Sequence, residues 1–121
     1  MLDTNMCIYL LNGHSPELTR RVGDQPSGSI GMSAITLGEL MVGGGSRTAA
    51  SPELENMIDE LPVVPFDDTA ARAYGSLPFR RGSFDHLIAA HALSLGLILV
   101  TNNEKHFKDL PGLGIENWTL S

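Results

Sequence analysis

A chain of 121 residues, 42% hydrophobic and 18% charged, has the size and balance of one globular domain, which excludes disordered and fibrous classes. With 8 Lys plus Arg against 14 Asp plus Glu, the net charge of −6 argues against indiscriminate phosphate binding through a basic face; any nucleic-acid contact must be local. The single cysteine, Cys7, excludes an internal disulfide and has no Cys or His partners at zinc-site spacing, so a reducing, cytoplasmic setting is expected. No apolar run reaches the ~20 residues that cross a bilayer, and with no Lys or Arg before Arg20 no secretory leader is expected.

Met1 to Asp3 is too short to read as a strand by itself. The run Met6-Cys7-Ile8-Tyr9-Leu10-Leu11 behind Asp3-Thr4-Asn5 predicts a buried helix with capping residues before it. Asn12 to Pro16 closes it, and Pro16 to Val22 predicts a second short helix with proline in its first turn. Ser29 to Ser33 alternates like a strand, and Ile35, Leu37, Leu40, Met41 and Val42 continue as an apolar helix that ends at Gly43-Gly44-Gly45. Pro52 to Leu61 predicts a helix, Val63-Val64 a brief strand, and Asp67 to Leu77 another helix, before Pro78 to Ser83 interrupts the pattern. Asp85 to Leu95 is apolar on most sides and predicts a helix buried between layers, ended by Gly96. Ile98 to Thr101 reads as a fully buried strand and Leu113 to Trp118 as a terminal one. Short strands alternating with helices predict a single α/β domain over residues 1–121, a three-layer α/β/α sandwich with a mainly parallel central sheet.

Carboxylates inside apolar runs are informative, because a lone buried charge costs several kcal/mol unless it is paired or bound to a metal. Asp3, Glu39 and Asp85 are of this kind. Ligands of open α/β sheets collect beyond the carboxyl ends of the strands, where Asp3 and Thr101 both fall, and the helices that follow bring Glu39 and Asp85 towards the same rim. Each acid also has a structural use: Asp3 as a helix N-cap, Glu39 as the partner of Thr36 in a capping box, Asp85 as a cap that favours the helix dipole. If the three converge, their hard oxygens call for Mg²⁺ or Mn²⁺, an ion that polarises a phosphodiester and generates hydroxide for in-line attack.

Four blocks then stand in order along nearly the whole chain: Leu2-Asp3-Thr4-Asn5, Ser33-Ala34-Ile35-Thr36-Leu37-Gly38-Glu39-Leu40, Phe84-Asp85-His86-Leu87-Ile88-Ala89-Ala90-His91-Ala92, and Val100-Thr101-Asn102-Asn103 with Phe107. Together with the ending Pro111-Gly112-Leu113 and Glu116-Asn117-Trp118, the pattern resembles the PIN-domain nucleases, and within them the VapC toxins of type II toxin–antitoxin pairs. The resemblance implies that Asp3, Glu39 and Asp85 bind catalytic Mg²⁺, and that water cuts RNA, often a transfer RNA. It also implies a VapB-type antitoxin whose C-terminal segment occupies the groove, and a toxin homodimer. Two features depart from the family. Asn103 stands where many members carry a fourth acid, which favours a single metal or weak metal binding. The connection from Tyr74 to Gly82 is short and places Arg80-Arg81 just before the third acid.

Thr4, Asn5, Ser33, Thr101 and Asn103 are candidates to support the carboxylates or metal waters, with caps and turns as their alternative use. Arg80 and Arg81 are candidate phosphate contacts, ahead of Lys105 and Lys108. His86, His91 and His106 read as packed or solvated, although one of them is able to shuttle a proton. Leu10, Leu11, Leu40 and Met41 suit either a dimer face or the core. A phosphoacceptor domain is disfavoured because Asn5 replaces the expected second acid and no lysine follows Val100-Thr101. The other alternative is a PIN-fold RNA- or antitoxin-binding module with little catalytic activity.

Overall fold

The structure is a computed structural model that describes residues 1–43, 51–78 and 83–120. Five of its helices start the same way, with a short polar side chain accepting the amide three residues on. Asp3 caps α1 (Thr4–Asn12) through Met6, and Ser15 caps α2 (Pro16–Gly23) through Leu18. Ser51 caps α4 (Pro52–Glu60) through Leu54, Asp67 caps α5 (Asp68–Gly75) through Ala70, and Ser83 caps α6 (Phe84–Ser94) through His86. Proline occupies the first turn of α2 and of α4, where its missing N–H costs nothing. The remaining helix, α3 (Ala34–Gly43), follows directly on β1 (Met32–Ser33). Two capping expectations are thereby corrected. Asp85 lies inside the first turn of α6 while Ser83 caps it, and Thr36 lies within α3 rather than at its start, so Thr36 and Glu39 form no capping box.

The strands are short: β1, β2 (Val63–Val64), β3 (Leu99–Val100) and β4 (Ile115–Glu116). β1 pairs in parallel with β2, and β3 with β4. Leu2 bridges in parallel to both Met32 and Val100, so the two pairs join into one sheet of order β2-β1-Leu2-β3-β4. The segment too short to read as a strand is therefore its central one. Leu2 N donates to Gly31 O at 3.0 Å, Asp3 N to Val100 O at 3.1 Å and Val100 N to Met1 O at 2.8 Å. Gly31 is required at its place beside β2, because a Cβ there would meet the Pro62 carbonyl oxygen at 2.8 Å.

Alternate residues of the sheet face two cores. Leu2, Met32 and Val100 pack with Met6, Cys7 and Leu18 from α1 and α2, with Leu40 from α3, and with Leu54 and Met57 from α4. Met1 and Leu99 pack on the other face with Ile88, Ala89 and Ala92 from α6, and with Phe107 and Leu110. This is the expected three-layer sandwich, and every recorded strand pairing is parallel. The buried strand starts one residue later than expected: Ile98 precedes the paired residues, on the amino side of the sheet, and is 46% exposed. Of the candidate dimer residues, Leu40 is in the core, Leu10 and Leu11 pack against it, and Met41 is exposed.

Candidate active site

The strand order reverses at Leu2. From there the chain builds β1 and β2 on one side, then crosses to β3 and β4 on the other. Open α/β sheets form their ligand crevice beyond the carboxyl ends of the strands at such a point. Asp3 follows Leu2 and Thr101 follows β3, and both are buried. Asp3 Oδ1 accepts the Met6 amide at 2.9 Å, so its capping use is real. The same carboxylate also receives a hydrogen bond from the Thr101 side chain and feels the negative charges of Asp85 and Glu39. Burial, in the first place, pushes the Asp3 carboxyl above its ordinary value, and those two acids push the same way; the Thr101 and Met6 hydrogen bonds oppose them.

Thr101, one of the candidate supporting residues, lies beside Asp3. While its side chain serves Asp3, its Oγ1 accepts the Asn103 amide at 3.0 Å, which ties the loop after β3 to the acid. Thr101→Val keeps the shape and removes both bonds. Urea denaturation should show a loss of about 1–2 kcal/mol, and an unchanged midpoint would mean the hydroxyl carries no weight.

Thr4, one residue after Asp3, donates from Oγ1 to Glu39 Oε1 at 2.6 Å and stands 3.2 Å from Thr36 Oγ1. Glu39 is thus drawn back to α1 by a hydroxyl, and Thr36, fully buried in α3, joins this cluster, a role its sequence neighbourhood does not signal. Asp85 is partly exposed, its Oδ2 3.8 Å from His106 Nε2. The His106 ring lies parallel to that of His86, with centroids 4.7 Å apart. Ser33 is fully buried, and its Oγ accepts the Ile35 amide at 3.0 Å and meets His91 Nδ1 at 2.8 Å. Asn5 and Asn103 are exposed, and Asn103, which precedes the short 3-10 turn at Glu104–His106, makes no side-chain cap. Arg80 and Arg81 lie outside the described residues.

The three acids therefore share a rim but are not a finished ligand set. Among the described residues, no three His, Cys, Asp or Glu side chains are placed to hold one metal ion. Asp3 is held by hydrogen bonds, whereas Glu39 leans on Thr4 and Asp85 faces His106. The donor chemistry fits a hard divalent cation: carboxylate oxygens, one of them buried and raised by its like-charged neighbours.

The PIN domain family matches residues 1–113. The tRNA(fMet)-specific endonuclease VapC of Salmonella typhimurium is 37% identical, over 98% of this chain and 96% of its own, and Ribonuclease VapC2 of Rickettsia felis is 33% identical over the same shares. Among solved structures, DNA-bound VapBC from Salmonella typhimurium superposes with a TM-score of 0.85 at 34% identity, covering 98% of this chain and 96% of that one. VapBC2 from Rickettsia felis, bound to a promoter DNA fragment, gives a TM-score of 0.82 at 31% identity, covering 98% and 97%. A parallel sheet with acids at its switch point and a family match over nearly the whole chain define the class: this chain belongs to the PIN domain family. Within it, the chain falls among the VapC proteins.

Proposed function

We propose that this protein is a divalent-metal-dependent endoribonuclease, the toxin of a VapBC-type pair, acting on RNA of the transfer RNA class. The observation that carries the reading is the buried Asp3, charge-coupled to both Glu39 and Asp85 at the carboxyl end of the central strand. Asp3, Glu39 and Asp85 are the residues that would hold Mg²⁺, or Mn²⁺ in its place. When bound, such an ion activates water and offsets charge on the phosphodiester. The chain does the positioning: Thr101 and the Met6 amide orient Asp3, and Thr4 restrains Glu39. Ser33 and Thr101 support the rim from buried positions; Asn5 and Asn103 are exposed and available to solvent or RNA. Arg80 and Arg81 keep their proposed role as phosphate contacts just before α6.

A VapB-type antitoxin is the proposed partner, as in the VapBC complexes that share the fold. Beside Glu39 runs an apolar groove lined by Ala34, Ile35, Gly38, Val42 and Phe84, with Val42 and Phe84 exposed, and this surface suits a protein segment. Homodimerisation is part of the same proposal. Among the described residues no helix is long and apolar enough to cross a membrane.

The second reading, a PIN-fold RNA- or antitoxin-binding module with little activity, is favoured by the ungathered acids and by Asn103, which brings no charge. One experiment separates the two. Purified protein is incubated with RNA in Mg²⁺ or in chelator, beside Asp85→Asn. Cleavage should require the metal and fall to background in the mutant; equal cleavage by wild type and Asp85→Asn would overturn the metal mechanism.

A further inference from the structure

His91 is 1% exposed within α6, between Ala90 and Ala92, which are fully buried. Its Nδ1 lies 2.8 Å from Ser33 Oγ. The Pro65 carbonyl accepts a hydrogen bond from the ring, and Phe66 packs edge-on at 5.2 Å. Burial holds the imidazole below its ordinary value, so it is neutral near pH 7 and offers one donor and one acceptor. Through Nδ1 the ring is bonded to the Ser33 hydroxyl, and Ser33 Oγ also accepts the Ile35 amide. A buried chain of bonds therefore links α6, the end of β1, the first turn of α3 and the loop after β2.

The placement of this link matters more than its strength. Ser33 precedes α3, and Glu39 lies six residues later; Asp85 is in the first turn of α6, and His91 lies six residues later. At 1.5 Å of rise per residue, Asp85 stands about 9 Å along α6 from His91, and Glu39 about 7.5 Å along α3 from Ala34, the residue after Ser33. Phe84, at the start of α6, lines one groove with Ala34, Ile35, Gly38, Glu39 and Val42, which run along α3. The two helices thus meet at two places, His91 at Ser33 just before α3 and Phe84 along the groove that holds Glu39. A slide of α6 along α3 would change the separation of Asp85 and Glu39 directly, and it would break the His91–Ser33 bond.

We propose that His91 is a positioning residue of this site, the strut that, through Ser33, fixes the register of the Asp85 helix against the Glu39 helix. The proposal rests on the reading of Asp3, Glu39 and Asp85 as the catalytic acids. It assigns to His91 no contact with RNA or metal.

The test uses the full chain, unfractionated transfer RNA as substrate and Mn²⁺ binding followed by calorimetry. His91→Leu and Ser33→Ala should each lower kcat and Mn²⁺ affinity by about 10–100-fold while KM moves by less than about threefold, the size expected when an outer support of a metal site is lost. His91→Asn places an amide where Nδ1 stands and should recover most of the loss. The double variant should be no worse than the worse single one, since both remove the same bond. Circular dichroism and thermal melts identify any variant that fails to fold; Ser33→Ala, the smaller change, then carries the comparison. Full kcat and Mn²⁺ affinity in folded His91→Leu or Ser33→Ala, or losses that multiply in the double variant, overturn the strut. An Asp85→Asn control separates the two failures: if it is inactive while the strut variants are unimpaired, only the strut is lost, and if it cleaves like wild type, the catalytic reading fails and the strut with it.

Discussion

Asp3→Asn should abolish RNA cleavage and, in the absence of divalent metal at neutral pH, melt at a higher temperature than wild type. The loss follows from the proposed role of Asp3 as the best-held ligand; a fall of at least about a hundredfold is expected when a charged metal ligand becomes an amide. The gain follows from the sign of the carboxyl's displacement. The folded Asp3 carboxyl lies above its ordinary value of 3.8, so the fold prefers the neutral acid. Its favourable contribution is fully present below 3.8 and is lost as pH rises through the raised folded value. At pH 7 the fold opposes ionisation of this buried group, by burial first and then by Asp85 and Glu39, a cost that asparagine avoids while still capping α1. A rise of about 2–5 °C is expected, the usual scale for relieving one strained functional group in a domain of this size. The advantage should shrink on titration towards pH 4. Mg²⁺ should raise the wild-type melting point, by binding the folded state, and leave that of Asp3→Asn unmoved. A variant less stable than wild type at pH 7 and equally active would mean that Asp3 is a helix cap and nothing more.

What could be read from the residues divides by the length over which the signal runs. A helix of eight to eleven residues states itself locally, by a polar cap, a first-turn proline or an apolar stripe, and α1, α2, α4 and α6 lie near where those signals put them. The described strands number two residues each, so the alternation over Ser29 to Ser33 narrows to Met32–Ser33, and the central strand is a single bridged residue with no alternation to read; Leu2 joins the sheet only through its ladder to Met32 and Val100. The acids were visible because carboxylates are costly in apolar surroundings, and Asp3, Glu39 and Asp85 do meet electrostatically. Their hydrogen-bond partners were visible only in part. Thr101 and Thr4 stood beside the acids in sequence, but the approach of Thr4 to Glu39 and of His91 to Ser33 is made by the packing of whole helices. The alternative use of Asp85 as a cap fails for a local reason. Serine at 83 and aspartate at 85 both suit a helix start, and the structure takes the serine and leaves the aspartate in the first turn, where its charge still favours the dipole.

Leu2→Ala should have the opposite effect on the fold to its neighbour's variant, although the two residues are adjacent. Leu2 is fully buried in the core between the sheet and helices α1 to α4, and its backbone lies between β1 and β3. Truncation removes buried methyl groups and leaves a cavity that cannot close readily, because Met32 and Val100 on either side are pinned by hydrogen bonds to the Pro62 and Met1 carbonyls, at 3.0 and 2.8 Å. Losses for such sites run to about 3–5 kcal/mol, which in a domain of this length lowers the melting point by about 10–20 °C. Set against a total stability of roughly 5–15 kcal/mol, the variant is partly unfolded near physiological temperature. Its activity should fall with the folded fraction and return on cooling, whereas Asp3→Asn should stay inactive at every temperature while fully folded. Measuring cleavage and circular dichroism together across temperature distinguishes the two. If Leu2→Ala melts within a few degrees of wild type, the one-residue bridge is not the centre of the sheet's stability, and the cost of holding Asp3 must be met by its caps alone.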